Sequence, residues 1–320
     1  MWRMIASFTP FVHALAAAFT QPSFASHCQL LLGWLMCLGV RNTFRVAQTI
    51  HADAPPPHDH RHPFDRYYNF FSRSGWSVAA LAYRVAVLVV TALNPSGRLS
   101  LVVDDTLLHK RGVKVFGLGW FRDAVASTKK RVATASGNNW VVLGLAIPIP
   151  GCPSHVLCLP LLARLHLPGK GQPSCVDLTR AMLLEVQTWF PGRHFILCGD
   201  GAYAAKGLLG ELPQGVAFVG RMRGDAAVYD PQPPATVKGR RGPKPKQGPR
   251  LDSPQAAAAR ADRKRTAGGP GCWQEVTVTA YGETGVVRVL SYVVVWPKVA
   301  GLRPLQVVVV RDPQGRMRDA

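Results

Sequence analysis

Two short runs in this chain put carboxylates where chemistry could be done. In "LSLVVDDTLLHKRG" the apolar residues Leu99, Leu101, Val102 and Val103 lead directly into Asp104 and Asp105; in "HFILCGDGAYA" the run Phe195–Cys198 leads into Asp200. A carboxylate buried without a partner costs several kcal/mol. Each site therefore needs an open strand end, a basic partner or a cation. If the two strands are neighbours in one sheet, Asp105 and Asp200 come close together. Two unit charges 4 Å apart repel by about 4 kcal/mol at an effective dielectric near 20. Such a pair either shares a proton or binds a divalent ion, and an all-oxygen donor set suits Mg²⁺ or Mn²⁺. Ions held this way activate a water or hydroxyl and stabilise the leaving oxygen of a phosphodiester. The plainer alternative is that each aspartate caps a helix or closes a turn. Gly199 and Gly201 fit either reading, since close approach and tight turns both call for glycine.

The basic residues point to the partner. The chain carries 38 Lys and Arg against 18 Asp and Glu, a formal charge of +20, and its pI is near 10.3. That balance favours a polyanion, with nucleic acid ahead of a membrane surface because no basic amphipathic helix stands out. His109, Lys110 and Arg111 directly follow the first aspartates, and Lys129, Lys130 and Arg131 form a second cluster. From 237 to 266, Lys238, Arg240, Arg241, Lys244, Lys246, Arg250, Arg260, Arg263, Lys264 and Arg265 stand against Asp252 and Asp262, which is 10 − 2 = +8. Such residues track a phosphate backbone without reading its sequence; the competing reading is a solvated linker. Trp120 and Trp140 could stack on a base, although aromatics more often fill a core, and Asp123 reads as the partner of a nearby Arg.

Other classes fall away. The seven cysteines include no C-x-x-C pair, so zinc spacing is absent and a reducing, cytoplasmic (nucleoid-associated) setting is expected. His51, His58, His60 and His62 match no ligand spacing and read as a polar loop. Gln21, His27 and Gln29 interrupt the apolar N-terminal windows, so these read as buried helices and neither a signal peptide nor a membrane span. An aspartyl-phosphate phosphatase would need Asp-x-Asp after the first strand, and here the two are adjacent.

The elements that must position these residues follow from periodicity. Residues 1–92 read as a helical region, with "CQLLLGWLMCLG" and "WSVAALAYRVAVLVVTAL" as helices. Residues 93–221 alternate strands and helices: a first strand ending at Asp105, two strand-like runs around a hairpin at Gly137-Asn138, a helix in "SCVDLTRAMLLEVQTWFPG" capped by Ser174 with Asp177, the strand before Asp200, a short helix near 202–209, and "VAFVGRMR". This order gives an α/β mixed sheet with flanking helices. Residues 222–272 are basic, rich in Pro and Gly, and expected to be irregular; residues 273–320 return to strands.

"VVDDTLLHKRG", "VFGLGWFRDAVASTKKRV", "GNNWVVLGLAIPIP" and "FPGRHFILCGDGAYA", in this order and at this separation, resemble insertion-sequence transposases of the aspartate-aspartate-glutamate (DDE) superfamily endonuclease type. "RYYNFFSRSGWS" resembles the segment preceding the catalytic domain there, and the resemblance covers most of the chain from about residue 28. It implies a ribonuclease H-like fold, with 93–221 the first part of the catalytic core and 273–320 a β-rich insertion. It implies Asp105 and Asp200 as ligands of catalytic Mg²⁺ or Mn²⁺. Asp105 is preferred to Asp104 because the carboxylate beside Thr is the ligand in related transposases; Asp104 stays a catalytic candidate on the opposite strand face. The implied partners are transposon-end and target DNA, with a homodimer in the DNA complex. The family's third carboxylate is a Glu on a helix after the insertion, and no such helix is found: Glu211 and Glu275 fall too early, Glu283 sits in a strand-turn region, and Asp312 and Asp319 lie near the last residue. The expectation is therefore a truncated, inactive copy, or else a noncatalytic basic DNA-binding protein that keeps the fold.

Overall fold

The structure, a computed structural model, describes residues 8–52, 64–94, 96–128, 130–149, 151–233, 246–263, 271–280 and 283–315. Lys129, Lys238, Arg240, Arg241, Lys244, His58, His60 and His62 lie outside these residues. The chain divides into two compact units, Met1–Pro95 and Ser96–Ala320.

The first unit is helical: α1 (Thr9–Ala14), a 3₁₀ turn (Ala16–Ala18), α2 (Gln21–Met36), α3 (Thr43–Ile50), α4 (Asp65–Ser72) and α5 (Val78–Leu93). Two helices are legible from long apolar runs; α3 and α4 have eight residues each, too short for a strong period. α3 is set by Asn42, whose Oδ1 accepts the Arg45 N–H at 2.8 Å, and α5 by Ser77, which does the same for Ala80. Leu30, Cys37, Val46, Ala47, Tyr67 and Phe70 form the core. Gly33 lets α2 and α3 touch, because a Cβ there would lie 2.5 Å from Ile50 Cγ1. No described helix is long and apolar enough to cross a membrane.

The second unit carries two sheets. The larger contains β1 (Leu99–His109), β2 (Gly119–Arg122), β3 (Thr134–Ile149), β4 (Cys152–His166), β5 (Phe195–Gly199) and β6 (Val216–Gly220). β3 is antiparallel to β1 on one side and to β2 and β4 on the other, while β5 runs parallel to β1 and β6 parallel to β5. The order β4-β3-β1-β5-β6, antiparallel on one side of β1 and parallel on the other, is ribonuclease H-like. α6 (Cys175–Trp189) packs on β3 and β4, and the sheet face that carries Leu99, Leu101, Val103, Val141, Leu143, Leu145, Phe195 and Leu197 is essentially buried, as are Met182, Leu183 and Val186 of the helix. A fully buried side chain of this size contributes roughly 1.5–3 kcal/mol. The α6 capping box forms as expected, with Ser174 Oγ accepting the Asp177 N–H and Asp177 Oδ2 accepting the Ser174 N–H.

The second sheet is a meander of β7 (Gln274–Ala280), β8 (Glu283–Val295) and β9 (Pro304–Arg311). α7 (Lys206–Leu209), before β6, touches α9 (Pro297–Ala300), between β8 and β9.

Three local expectations are corrected. Gly137-Asn138 is no turn: it lies inside the continuous β3, and the hairpin closes at Gly151, whose φ is +80°. Gly137 serves close approach, since a Cβ there would lie 2.4 Å from the Leu108 carbonyl oxygen. β1 does not stop at Asp105 but continues to His109. Within the stretch expected to be irregular, α8 (Pro254–Arg263) forms. Ser253 Oγ accepts the Ala256 N–H at its start, and Ala257 and Ala261 bury against Leu290.

Candidate active site

The three aspartates sit where β1 leaves one ladder and stays in another. The parallel pairing of β1 with β5 ends at Val103 opposite Gly199. Asp104 and Asp105 on β1 and Asp200 after β5 thus come immediately beyond the last paired residues, at the same end of adjacent strands. Neighbouring strands lie about 4.8 Å apart. The antiparallel pairing of β1 with β3 continues through Asp104–Val142 and Asp105–Val141 to His109–Gly137. Both aspartates of β1 therefore have fixed backbones and solvated side chains: Asp104, Asp105 and Asp200 are all exposed. Exposure to solvent, with no basic partner among the described residues, resolves the desolvation problem posed by the sequence.

Alternation separates the pair on β1. Leu99, Leu101 and Val103 are buried, and Asp105 continues that face while Asp104 belongs to the other. Asp105 is close enough to Cys175, the first residue of α6, to help hold its thiol above the ordinary range, second to burial. Asn139 on β3 donates from Nδ2 to Cys175 Sγ at 3.6 Å, which closes this side of the site.

A turn ties Asp200 to Asp105. Asp200 Oδ1 accepts the Ala202 N–H at 2.8 Å, and the Asp200 carbonyl accepts the Tyr203 N–H at 3.2 Å. This folds Tyr203 back over the sheet, where it is 1% exposed and its hydroxyl donates to Asp105 Oδ1 at 3.3 Å. Burial first, then the Asp105 charge, pushes this phenol far above the usual tyrosine range, so it stays a donor at any ordinary pH. Gly199 makes the fold-back possible: a Cβ there would lie 3.1 Å from both Tyr203 Cβ and Val103 Cγ1. Tyr203, Cys175 and Asn139 do not stand out in the sequence. The one available signal is Tyr203 three residues after Asp200 in "GDGAY".

Carboxylate oxygens are the kind of donor a hard cation takes. Asp105 Oδ1 is engaged by Tyr203, Asp200 Oδ1 by Ala202 and Asp104 Oδ1 by the Asp105 N–H at 2.9 Å. Each carboxylate thereby has one oxygen oriented by the protein, and its other oxygen accepts no hydrogen bond from the described residues. Among the described residues no group of three or more His, Cys, Asp or Glu side chains is arranged to hold a metal.

The basic candidates divide. Lys110 and Arg111 are exposed and line a groove of about 480 Å³ with His109, Trp120, Thr134, Ala135 and Ser136. Lys130, Arg131 and Lys246 are exposed. Asp123 does not pair with an arginine: its Oδ2 lies 3.0 Å from His109 Nε2 and its Oδ1 accepts the Val125 and Ala126 N–H groups. These contacts, led by the Ala126 N–H, hold its carboxyl below the usual range.

A family model described as "DDE superfamily endonuclease" matches residues 14–284. No curated protein matches. Among solved structures, a piggyBac transposase in a synaptic complex with hairpin DNA aligns at 10% identity over 91% of this chain and 52% of its own, with a TM-score of 0.33. This chain thus spans about half the length of that transposase. The fold rests on the strand order and register described above.

Proposed function

Since the chain belongs to the DDE superfamily endonuclease family, we propose that it acts on DNA as a transposase, cleaving phosphodiester bonds at insertion-sequence ends and transferring the strand to a target with Mg²⁺ or Mn²⁺. Asp105 and Asp200 are two of the metal ligands in this reading, and Asp104 sits beside them as the further candidate. The observation that carries it is the register of β1 on β5, which ends at Val103–Gly199 and so sets acidic side chains at the same end of adjacent parallel strands. A bound divalent ion supplies Lewis-acid stabilisation of charge on phosphate oxygens and lowers the pKa of a coordinated water. The chain's own residues supply the rest. β3 fixes the Asp105 backbone, Tyr203 orients one of its oxygens, and the turn after Gly199 orients Asp200. Basic residues such as Lys110, Arg111, Lys130, Arg131 and Lys246 hold the phosphate backbone, as do Lys129, Lys238, Arg240, Arg241 and Lys244 of the sequence.

A second reading, a noncatalytic DNA-binding protein on the same fold, is favoured by the lack of a third clustered ligand among the described residues. One experiment separates the two. Supercoiled plasmid is incubated with the protein and Mn²⁺, and nicked circles are counted for wild type, Asp105→Asn and Asp200→Asn, with DNA binding measured in EDTA. The endonuclease reading expects nicking by wild type alone and binding by all three. An Asp200→Asn protein that nicks like wild type removes Asp200 from the site, and binding without nicking by wild type selects the second reading.

A further inference from the structure

The geometry points to a stacking subsite for single-stranded DNA in the groove at the far end of β1, with Trp120 as the platform for an unpaired base and Lys110 and Arg111 as contacts for the flanking phosphates. It rests on the DNA-directed reading above and adds where, and in what form, a strand is held. β1 and β2 both pair with β3, so His109 and Gly119 lie opposite the same residue, Gly137. One step further, Lys110 and Trp120 flank Ser136 from its two sides: the Lys110 N–H donates to the Ser136 carbonyl at 3.3 Å, and Trp120 is the register partner of Ser136. With strands about 4.8 Å apart, an ammonium and an indole are set on backbones about 10 Å apart, with a groove between them.

Trp120 is 74% exposed, on a four-residue strand at the edge of the sheet. A core role is excluded, and a large aromatic surface left in water is what a stacking platform presents. The charge around it is one-sided. Between residues 106 and 137 the sequence has Lys110, Arg111, Lys114, Arg122, Lys129, Lys130 and Arg131 against Asp123 alone, and Asp123 is buried against His109. None of the six described cations among them is ion-paired with a described carboxylate. A basic groove with an exposed aromatic at its wall is the combination that binds single strands without reading their sequence. Lys110 follows Asp105 by five residues of extended chain, about 16 Å, which equals about five base steps of a DNA strand. Alternation puts Trp120 and Ser136 on the face of the sheet that carries Asp104, opposite that of Asp105, so a strand unpaired near the aspartates would reach this groove along the Asp104 face.

The test is binding by the full chain in EDTA, read as fluorescence anisotropy of a labelled oligo(dT) and of a duplex of equal length. Trp120→Ala is expected to weaken oligo(dT) binding about ten-fold, with duplex binding and the salt slope unchanged, and Trp120→Phe to restore most of the loss. Lys110→Ala with Arg111→Ala lowers the single-strand salt slope by about 0.7 for each phosphate that the pair neutralises in wild type. Oxidation of Trp120 in the native protein, slowed by oligo(dT) and not by duplex, reads the same contact without any substitution. If Trp120→Ala binds oligo(dT) like wild type, or loses single strand and duplex alike, or if wild type binds no oligo(dT), the subsite is wrong. Because no metal is present, that failure leaves the Mn²⁺-dependent nicking of wild type, and with it the endonuclease reading, untouched.

Discussion

Tyr203→Phe isolates one hydroxyl between the two candidate ligands. The ring is 1% exposed and remains in the variant, so packing is kept and only the donor to Asp105 Oδ1 is removed. A hydrogen bond to a charged group is worth roughly 1.5–3 kcal/mol. Its length of 3.3 Å and the exposure of Asp105 place this one lower, at about 1 kcal/mol. Tyr203→Ala removes the ring as well and should cost about 3–5 kcal/mol. The alkaline limb gives a second, sharper measure. The folded phenol titrates well above its unfolded value, because burial and then the Asp105 charge disfavour phenolate. A group whose pKa is raised by folding stabilises fully below the unfolded pKa, about 10, and that stabilisation is lost as pH rises from there towards the folded value. The unfolded chain has then released a proton that the folded one keeps. Wild-type stability falls by about 1.4 kcal/mol per pH unit relative to Tyr203→Phe in that window. Urea midpoints of the two proteins between about pH 8 and pH 11 measure the difference. Parallel curves would refute the buried phenol–carboxylate contact. In the nicking assay Tyr203→Phe should need more Mn²⁺ for half-maximal rate, because Asp105 loses its orienting donor. A slower reaction at an unchanged Mn²⁺ requirement would confine Tyr203 to a structural role.

Two further outcomes follow from the same neighbourhood. Gly199→Ala puts a Cβ 3.1 Å from Tyr203 Cβ and Val103 Cγ1, both buried; overpacking of this kind costs about 1–3 kcal/mol in urea unfolding, whereas a gain in stability would show that the ring can move aside. Asp123→Asn tests the turn behind the stacking groove: the Asp123 carboxyl is held low by the Ala126 N–H, the Val125 N–H and His109, so its stabilisation is present above the ordinary carboxylate pKa, about 3.9, and is lost as pH falls through the folded value. The variant should show a flatter fall of melting temperature with acid than wild type, and identical slopes would discount the contact.

How much of this is legible in the sequence depends on what signals each element. Phe195–Cys198 reads as a strand because it is continuously apolar, and an uninterrupted run marks a strand covered on two faces; Leu99–Val103 reads as one although Ser100 interrupts its apolar residues. Ser174 and Asp177 read as a helix start because a capping box is local chemistry. The misreadings share a cause, which is that a residue's polarity or size resembles a local signal when a distant neighbour sets it. Asp104 and Asp105 look like the end of a strand, yet the partner that holds them is β3, some 35 residues further on. Gly137 looks like a turn, yet its small size serves the Leu108 backbone. α8 is hidden by the Pro- and Gly-rich composition on its N-terminal side, although "SPQAAAARADR" carries a cap, a Pro at the first position and an alanine run. Tyr203 is invisible for the same reason as Gly137: nothing in "GDGAY" states that its hydroxyl returns to a strand 98 residues earlier in the chain.

The split ladder at Val103 explains why acidic residues are tolerated at this point and at few others in the sheet. A strand paired on both sides carries its side chains onto two covered faces, and a carboxylate there would need a partner. A strand paired on neither side gives its side chains no fixed origin. Beyond Val103, β1 is paired to β3 alone, so one ladder still holds the backbone of Asp105 opposite the buried Val141 while its carboxylate meets water. Asp200 lacks such a ladder and is placed by the turn through Ala202 and Tyr203. The two halves of the site thus depend on different forces: Asp105 on sheet hydrogen bonds that survive any single side-chain change, Asp200 on a four-residue turn whose geometry requires Gly199 to stay without a side chain. The hydroxyl of Tyr203 is the contact through which the weaker half is registered on the stronger.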